Sequence, residues 1–129
     1  MTGQIGVAKY TDCREQKFKY LFQPGIIGKM PINNRIIMAA MGNALADEKG
    51  NVTDSMLEYY RIRAKGGAGM IITQFASISP ADVMPYNLNL FDDIYITGIS
   101  RLVQTIHESG AKACIQLMHP GLLLLLFKT

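Results

Sequence analysis

The sequence predicts an α/β fold in which parallel strands alternate with helices. Three short apolar runs have the composition of buried strands, at residues 35–41, 69–73 and 112–118. Two amphipathic stretches with helical spacing separate these runs, and each connection is long enough for a right-handed crossover. The order strand, helix, strand, helix, strand therefore favours a parallel sheet with helices packed against it.

Such a sheet can remain open and doubly wound, or it can close into an eight-stranded barrel. A doubly wound nucleotide-binding sheet needs a Gly-rich loop after its first strand, and none follows residues 35–41. The glycines Gly66, Gly67 and Gly69 precede a strand instead, so they are interpreted as helix-stop and turn residues. An eight-stranded barrel takes about 250 residues. We therefore predict a partial (β/α)8 TIM barrel with three parallel strands, two helices and an N-terminal hairpin.

The boundaries of these elements are set by residues that begin helices or break them. Residues 21–34 contain short apolar pieces between Pro and Gly, which predicts a small hairpin. Residues 74–91 are expected to form a long loop. The first helix presents an apolar stripe of Leu57, Tyr60 and Ala64. The residues expected to cap or end the helices are Thr53 or Asp54, Gly66–Gly67, Asp92 or Asp93, and Gly110.

The chain is predicted to have one folded body between two dissimilar ends. Residues 1–17 are polar and lack periodicity, so we expect a loose leader there. Residues 18–121 carry all the predicted elements. Residues 122–129 include a run of leucines and are interpreted as an apolar tail.

Composition narrows the range of partners and locations. Thirteen Lys and Arg against ten Asp and Glu give a net charge of +3, and no basic stripe with aromatic residues suggests a nucleic-acid partner. The longest apolar run, residues 122–127, is far shorter than the roughly 20 residues that cross a bilayer. Cys13 and Cys114 have no neighbouring metal ligands, so no metal site is predicted. We expect a cytoplasmic protein with reduced thiols and no membrane partner.

In a parallel barrel, functional groups lie where the strands end and the following loops begin. Small residues after the first predicted strand either ease a tight turn or let a flat ligand approach the backbone. Gln116 is an amide in an otherwise apolar strand, so either the protein core or a heteroaromatic ligand must satisfy its hydrogen bonds. His119 is either a structural residue or a donor, acid or ligand. These alternatives stay open on composition alone.

Four pieces of the sequence, in order, resemble the old yellow enzyme family. They are NNRIIMAAMGN, YYRIRAKGGAGMIIT, the helix that ends in HESGAK, and IQLMHPG. The resemblance covers residues 18–121, whereas the apolar tail at residues 122–129 does not match the family. It is closest to the branch of NADH:flavin oxidoreductases, 2,4-dienoyl-CoA reductases and trimethylamine dehydrogenases. The segment LFQPGIIGKMPINNR resembles the opening hairpin of that family.

The resemblance implies an FMN-dependent oxidoreductase. It would pass hydride from NADH or NADPH through the flavin to an activated alkene or a related small-molecule acceptor. His119 is placed near the substrate or the flavin. The implied cofactor-binding residues are Ala39, Ala40, Met41, Gly42, Phe75 and Gln116.

The sequence also departs from the pattern of that family. Ala40 stands where Pro is frequent, Phe75 stands where Ala or Gly lies beside the flavin, and Leu122 follows Gly121 where Arg is usual. The family's phosphate site and the cysteine cluster of this branch have no counterpart, so an iron–sulfur cluster is expected only in a full-length parent. We therefore expect this chain to be inactive alone.

Two other functions compete with this interpretation. One is a non-catalytic barrel fragment that associates with a copy of itself or with a partner through its open sheet edge. The other is a phosphate-binding barrel that uses no flavin, which the residues around Gln116 and His119 disfavour.

Overall fold

The computed structural model describes residues 18–121. The predicted leader at residues 1–17 and the predicted tail at residues 122–129 lie outside the described residues. The described elements are β1 (Gly25–Ile27), β2 (Met30–Ile32), β3 (Ile37–Met38), α1 (Asp54–Lys65), β4 (Met70–Ser77), β5 (Leu88–Asn89), α2 (Ile96–Glu108) and β6 (Lys112–Met118). Short 3₁₀ turns at Pro80–Asp82 and Asp93–Tyr95 precede β5 and α2.

The predicted N-terminal hairpin is confirmed. Strands β1 and β2 pair in antiparallel fashion, with Ile27 opposite Met30. Gly28 has a φ of 60°, a conformation that costs glycine little and allows the chain to reverse within two residues.

The predicted parallel arrangement is also confirmed. Strand β4 lies at the centre and pairs in parallel with β3, β5 and β6. Because β6 pairs along both halves of β4, the short strands β3 and β5 share the opposite edge of β4. The three predicted strand segments therefore lie side by side and point in one direction.

Both helices form where the apolar stripes predicted them. Thr53 caps α1, because its hydroxyl accepts a hydrogen bond of 3.2 Å from the Met56 N–H. Asp92 caps the 3₁₀ turn that leads into α2. Gly98 of α2 lies against the loop before α1, where a methyl group would be 3.4 Å from Val52 Cβ, in ordinary van der Waals contact.

The core lies between the helices and one face of the sheet. Tyr60 of α1, Leu102 and Ile106 of α2, and Ile71 of β4 are all fully buried there. Burying such side chains contributes about 1.5–3 kcal/mol each. The opposite face of the sheet is covered by no helix among the described residues.

Three expectations about the strands need correction. Strand β4 extends to Ser77, so the loop predicted to begin at Gln74 begins at Ile78 and contains the short strand β5. Strand β3 has two residues rather than seven. The strands are not all buried on both faces: Ile37 is exposed in β3, and the residues of β6 are exposed or half-buried. Apolar composition predicted the strands correctly, but it does not distinguish a covered face from an uncovered one.

Candidate functional site

Strands β3, β4 and β6 end at the same edge of the sheet because they run in the same direction. We call this edge the rim; it comprises residues 39–43, 78–82 and 119–121. In parallel α/β folds, ligands bind at this edge.

A bulge in β4 decides which side chains reach the rim on each face. Ile72 pairs with Cys114 and Phe75 pairs with Gln116, so Thr73 and Gln74 both lie opposite the single residue Ile115. Registered partners in a parallel sheet point to the same side. Phe75 therefore joins Gln116 on the face without helices. We call this face, with Ile72, Phe75, Cys114 and Gln116, the open face.

Gly42 completes a small cluster on the open face. A methyl group at Gly42 would lie 3.9 Å from Cε1 of the Phe75 ring, so the ring lies directly beside the backbone at Gly42. The Gln116 side chain is exposed, and its amide group forms no hydrogen bond within residues 18–121. The cluster thus combines an aromatic ring, a bare stretch of backbone and a free amide. Of the two alternatives for the Gln116 amide, hydrogen bonding within the protein core is not observed within residues 18–121.

The remaining residues predicted to bind the cofactor lie around this cluster. Ala39 is exposed and Ala40 is half-buried, and Met41 separates them from Gly42. Met41 is 60% exposed and lines a groove of about 500 Å³ with Tyr59 and Arg63 of α1. The structure therefore brings Gly42, Phe75 and Gln116 together and places Met41 beside α1.

A buried polar network supports the rim from the helix side. The Tyr60 hydroxyl accepts hydrogen bonds from the Gln74 backbone N–H at 2.7 Å and from Asn43 Nδ2 at 3.3 Å. Gln74 Oε1 accepts a hydrogen bond of 3.2 Å from the backbone N–H of Asn43. Burial raises the pKa of Tyr60, and its neighbours only partly offset that effect. The network fixes the segment after β3 against the bulge of β4.

A second polar contact crosses the rim. The carboxylate Oδ2 of Asp82, in the turn after β4, contacts Nδ1 of His119, directly after β6. Asp82 is 3% exposed, whereas the His119 side chain is 62% exposed. His119, which the sequence singled out, therefore has an acidic partner that the sequence analysis missed.

The sequence carried weak signals for the missed residues. Asp82 follows Ser79 and Pro80, which together predict the start of a short helical turn but not what its carboxylate contacts. The sequence predicts a loop at Gln74, because a bulge leaves no mark in the hydrophobic pattern. Tyr60 belonged to the predicted apolar stripe of α1, but its hydroxyl partners come from other elements.

Two further observations concern residues 18–121. No group of three or more His, Cys, Asp or Glu side chains in this range is placed to hold a metal ion. No helix in this range is long and apolar enough to cross a membrane.

Comparison with known proteins identifies the family. The profile of the NADH:flavin oxidoreductase / NADH oxidase family matches residues 20–125, and so includes four residues of the predicted tail. The chain is 38% identical over 106 residues to an NADH oxidase from Thermoanaerobacter brockii, covering 81% of this chain and 16% of that protein. It is 35% identical over 103 residues to an NADPH dehydrogenase from Halalkalibacterium halodurans, covering 78% of this chain and 30% of that protein.

Solved structures show the same relationship. The old yellow enzyme from Trypanosoma cruzi superposes with a TM-score of 0.73 at 31% identity, over 81% of this chain and 28% of that chain. The chain thus spans less than a third of the relatives named here, and its strands and helices form part of a (β/α)8 barrel. From the profile match, the shared sequence and the shared fold, we conclude that this chain belongs to the NADH:flavin oxidoreductase / NADH oxidase family, which includes the old yellow enzymes.

Proposed function

We propose that this chain supplies part of the flavin cradle of an FMN-dependent NAD(P)H oxidoreductase that reduces activated alkenes or related acceptors. The observation that carries the proposal is the cluster of Gly42, Phe75 and Gln116 on the open face at the rim. Family membership supports a flavin and a nicotinamide reductant in general terms.

The chemistry of the cluster fits an isoalloxazine ring. The flat flavin can stack or make edge contacts with the Phe75 ring. The Gln116 amide offers one acceptor and two donor hydrogens, which match the alternating carbonyl and N–H groups of the pyrimidine end. Ala39, Ala40 and Gly42 leave the backbone accessible at the rim. Bound FMN would supply the hydride transfer, and these residues would orient it.

The described residues supply no equally clear anchor for the phosphate of FMN. Charge-assisted hydrogen bonds to phosphate are among the strongest contacts that hold such a cofactor. We therefore expect the 129-residue chain alone to bind FMN weakly and to show no NAD(P)H oxidation. An iron–sulfur cluster would require residues of a longer parent protein. We further propose that the protein is cytoplasmic. The free thiol of Cys114 supports this location, because cysteines stay reduced in the cytosol.

Replacing Gln116 by leucine should weaken flavin binding by roughly 5- to 150-fold. Two neutral hydrogen bonds contribute about 0.5–1.5 kcal/mol each, and leucine keeps the size of the side chain while removing both. The measurement is an NMR titration of the ¹⁵N-labelled chain with FMN. In the unmodified chain, we expect shifts at Gly42, Phe75 and Gln116.

Gln104→Leu is the matched control, because it makes the same change at an exposed position of α2. Its titration should equal that of the unmodified chain. Shifts that map away from the open face, or a Gln116→Leu variant that binds FMN normally, would contradict the cradle.

A test of catalysis requires the remaining strands of a complete barrel. In a chimera, residues 20–125 of this chain would replace the matching segment of the Halalkalibacterium halodurans NADPH dehydrogenase. The chimera should retain FMN and oxidise NADPH in the presence of an activated alkene. A folded chimera without flavin would refute the proposal, whereas one that loses flavin only with Gln116→Leu would support it.

We also propose that the chain associates with a second copy of itself through its sheet edges. Within residues 18–121, the edges of β3 and β6 that face away from β4 pair with no other strand. Ile37 of β3 is 43% exposed and Leu117 of β6 is 63% exposed. Unpaired edges that carry apolar side chains favour association between chains.

Sedimentation velocity tests the association. The unmodified chain should form dimers or larger species, and Ile37→Lys or Leu117→Lys should shift it toward monomer because each places a charge at an edge. Ile94→Lys is the control, since Ile94 is equally apolar and exposed but precedes α2. A folded chain that remains monomeric at high concentration would exclude this proposal.

A further inference from the structure

Asp82 is an unusual residue for its position because its carboxylate is almost fully buried in a loop. It lies at the end of the 3₁₀ turn Pro80–Asp82, after β4. Within residues 18–121, its only ion-pair partner is His119, and no Lys or Arg forms a salt bridge with it. A buried carboxylate without a hydrogen-bond donor costs several kcal/mol, so this contact is central to its placement.

The backbone around Asp82 is held firmly. Its N–H donates to the Ser79 carbonyl at 3.0 Å, and its carbonyl accepts a hydrogen bond of 2.9 Å from the Ser77 hydroxyl. The Ser79 hydroxyl accepts a hydrogen bond of 3.2 Å from the Ala81 N–H. These bonds connect the carboxylate to the end of β4, at the centre of the sheet.

The residue before His119 is also hydrogen-bonded to the segment that follows β4. The Ile78 N–H donates to the Met118 carbonyl at 3.3 Å, which extends the pairing of β4 and β6 to the residue before His119. His119 therefore directly follows β6, and Asp82 is attached to the end of β4 through the hydrogen bonds of its 3₁₀ turn. His119 lies three residues after Gln116 in the chain, at the same rim.

The contact determines which nitrogen of His119 carries a proton. An ionised carboxylate only accepts hydrogen bonds, so Nδ1 must be the donor. A neutral imidazole has one N–H, which leaves Nε2 as an acceptor; a protonated imidazole also has an N–H at Nε2. In both states Nε2 is the ring nitrogen that Asp82 does not occupy, and the His119 side chain is 62% exposed.

We propose that Asp82 is a positioning residue that fixes the Nδ1–H tautomer and the ring orientation of His119, so that Nε2 contacts an oxygen atom of the acceptor substrate at the rim. The substrate part of this inference rests on the proposed function, whereas the tautomer part does not. Pairs of carboxylate and histidine orient the imidazole in this way in other kinds of site.

The tautomer can be measured directly in the unmodified chain. The sequence contains two histidines, so the imidazole ¹⁵N signals of His107 and His119 can be assigned by removing either one. In the neutral form of its ring, His119 should show a protonated Nδ1. His107 is exposed on α2 and forms no side-chain contact with a carboxylate among the described residues, so it serves as the internal reference. A His119 ring with its proton on Nε2 would overturn the proposal without any variant.

Asp82→Asn tests the cause of the tautomer. Asparagine keeps the shape of the side chain but can donate as well as accept, so it no longer requires a proton on Nδ1. We expect the Nε2–H form of His119 to appear in this variant, while the His107 signals stay unchanged. An unchanged His119 tautomer would show that Asp82 does not set it.

The role toward the substrate is tested in the chimera described above, with 2-cyclohexenone as a simple activated alkene. Asp82→Asn should raise KM for this acceptor severalfold, leave FMN content unchanged and have a smaller effect on kcat. Loss of FMN from the unmodified chimera would refute the proposed function but not the tautomer. An unchanged KM together with a changed tautomer would refute the substrate contact alone.

Discussion

Gly50→Ala should lower the free energy of unfolding by about 2–5 kcal/mol, which corresponds to a fall in Tm of roughly 10–20 °C. Gly50 lies in the loop before α1 with a φ of 82°, where any side chain is strained. A methyl group there would also lie 2.2 Å from Nδ2 and 2.5 Å from Cγ of Asn89. Asn89 is 2% exposed in β5, and its Cβ would lie 3.0 Å from the added methyl group, so rotation of the amide alone would not relieve the clash.

The steric clash would disrupt a contact between distant parts of the chain. Asn89 Nδ2 donates to the Lys49 carbonyl at 3.0 Å, and the Asn89 N–H donates to the Gly50 carbonyl at 3.2 Å. The Tyr95 hydroxyl donates to the same Lys49 carbonyl at 3.2 Å. These bonds attach the loop before α1 to β5 and to the turn before α2, so losing them loosens both helices.

Gly67→Ala separates the two causes. Gly67 has a φ of 100° but no atom within 4 Å of the added methyl group, so this variant carries only the backbone strain, about 1–2 kcal/mol. Thermal unfolding of both variants, followed by circular dichroism, gives the comparison. Equal losses of stability would mean that Asn89 accommodates the methyl group and that our account of the clash is wrong.

The sequence predicted the elements of this fold well because each of them has a local cause. The apolar run at Lys112–Met118 forms β6 over those same residues, and Thr53 caps α1 through its own hydroxyl. Hydrophobic period, capping residues and glycine stops act within a few residues, so they can be recognised without the fold.

The candidate site was less predictable because its geometry depends on contacts across the chain. The bulge at Thr73 and Gln74 decides that Phe75 shares a face with Gln116, and it arises from the register of β4 against β6. The contact between Asp82 and His119 joins residues 37 positions apart. Resemblance to a family suggested Gly42, Phe75 and Gln116 together, but only the fold shows that they are neighbours. Their role toward FMN stays a prediction.

Tyr60→Phe should destabilise the chain by about 1–3 kcal/mol, although it removes a single oxygen atom. The Tyr60 hydroxyl is the partner of the Gln74 backbone N–H, and Gln74 is fully buried at the bulge. Phenylalanine would leave this donor without a partner and with no access to water, which costs most of its desolvation energy. Tyr59→Phe is the matched control, because the Tyr59 hydroxyl forms no hydrogen bond within residues 18–121, and its effect should stay within about 0.5 kcal/mol.

The pH dependence of stability gives a second, independent test of Tyr60. Burial raises its pKa above the ordinary value of 10.0, so the folded chain keeps the phenolic proton at pH values where the unfolded chain loses it. The stability linked to this proton is complete below pH 10 and is lost as the pH rises through the folded-state pKa. Urea unfolding at increasing alkaline pH should therefore show a steeper loss of stability for the unmodified chain than for Tyr60→Phe. Parallel curves would show that the Tyr60 hydroxyl reaches solvent, and the buried network beneath the rim would then not hold the segment after β3 in place.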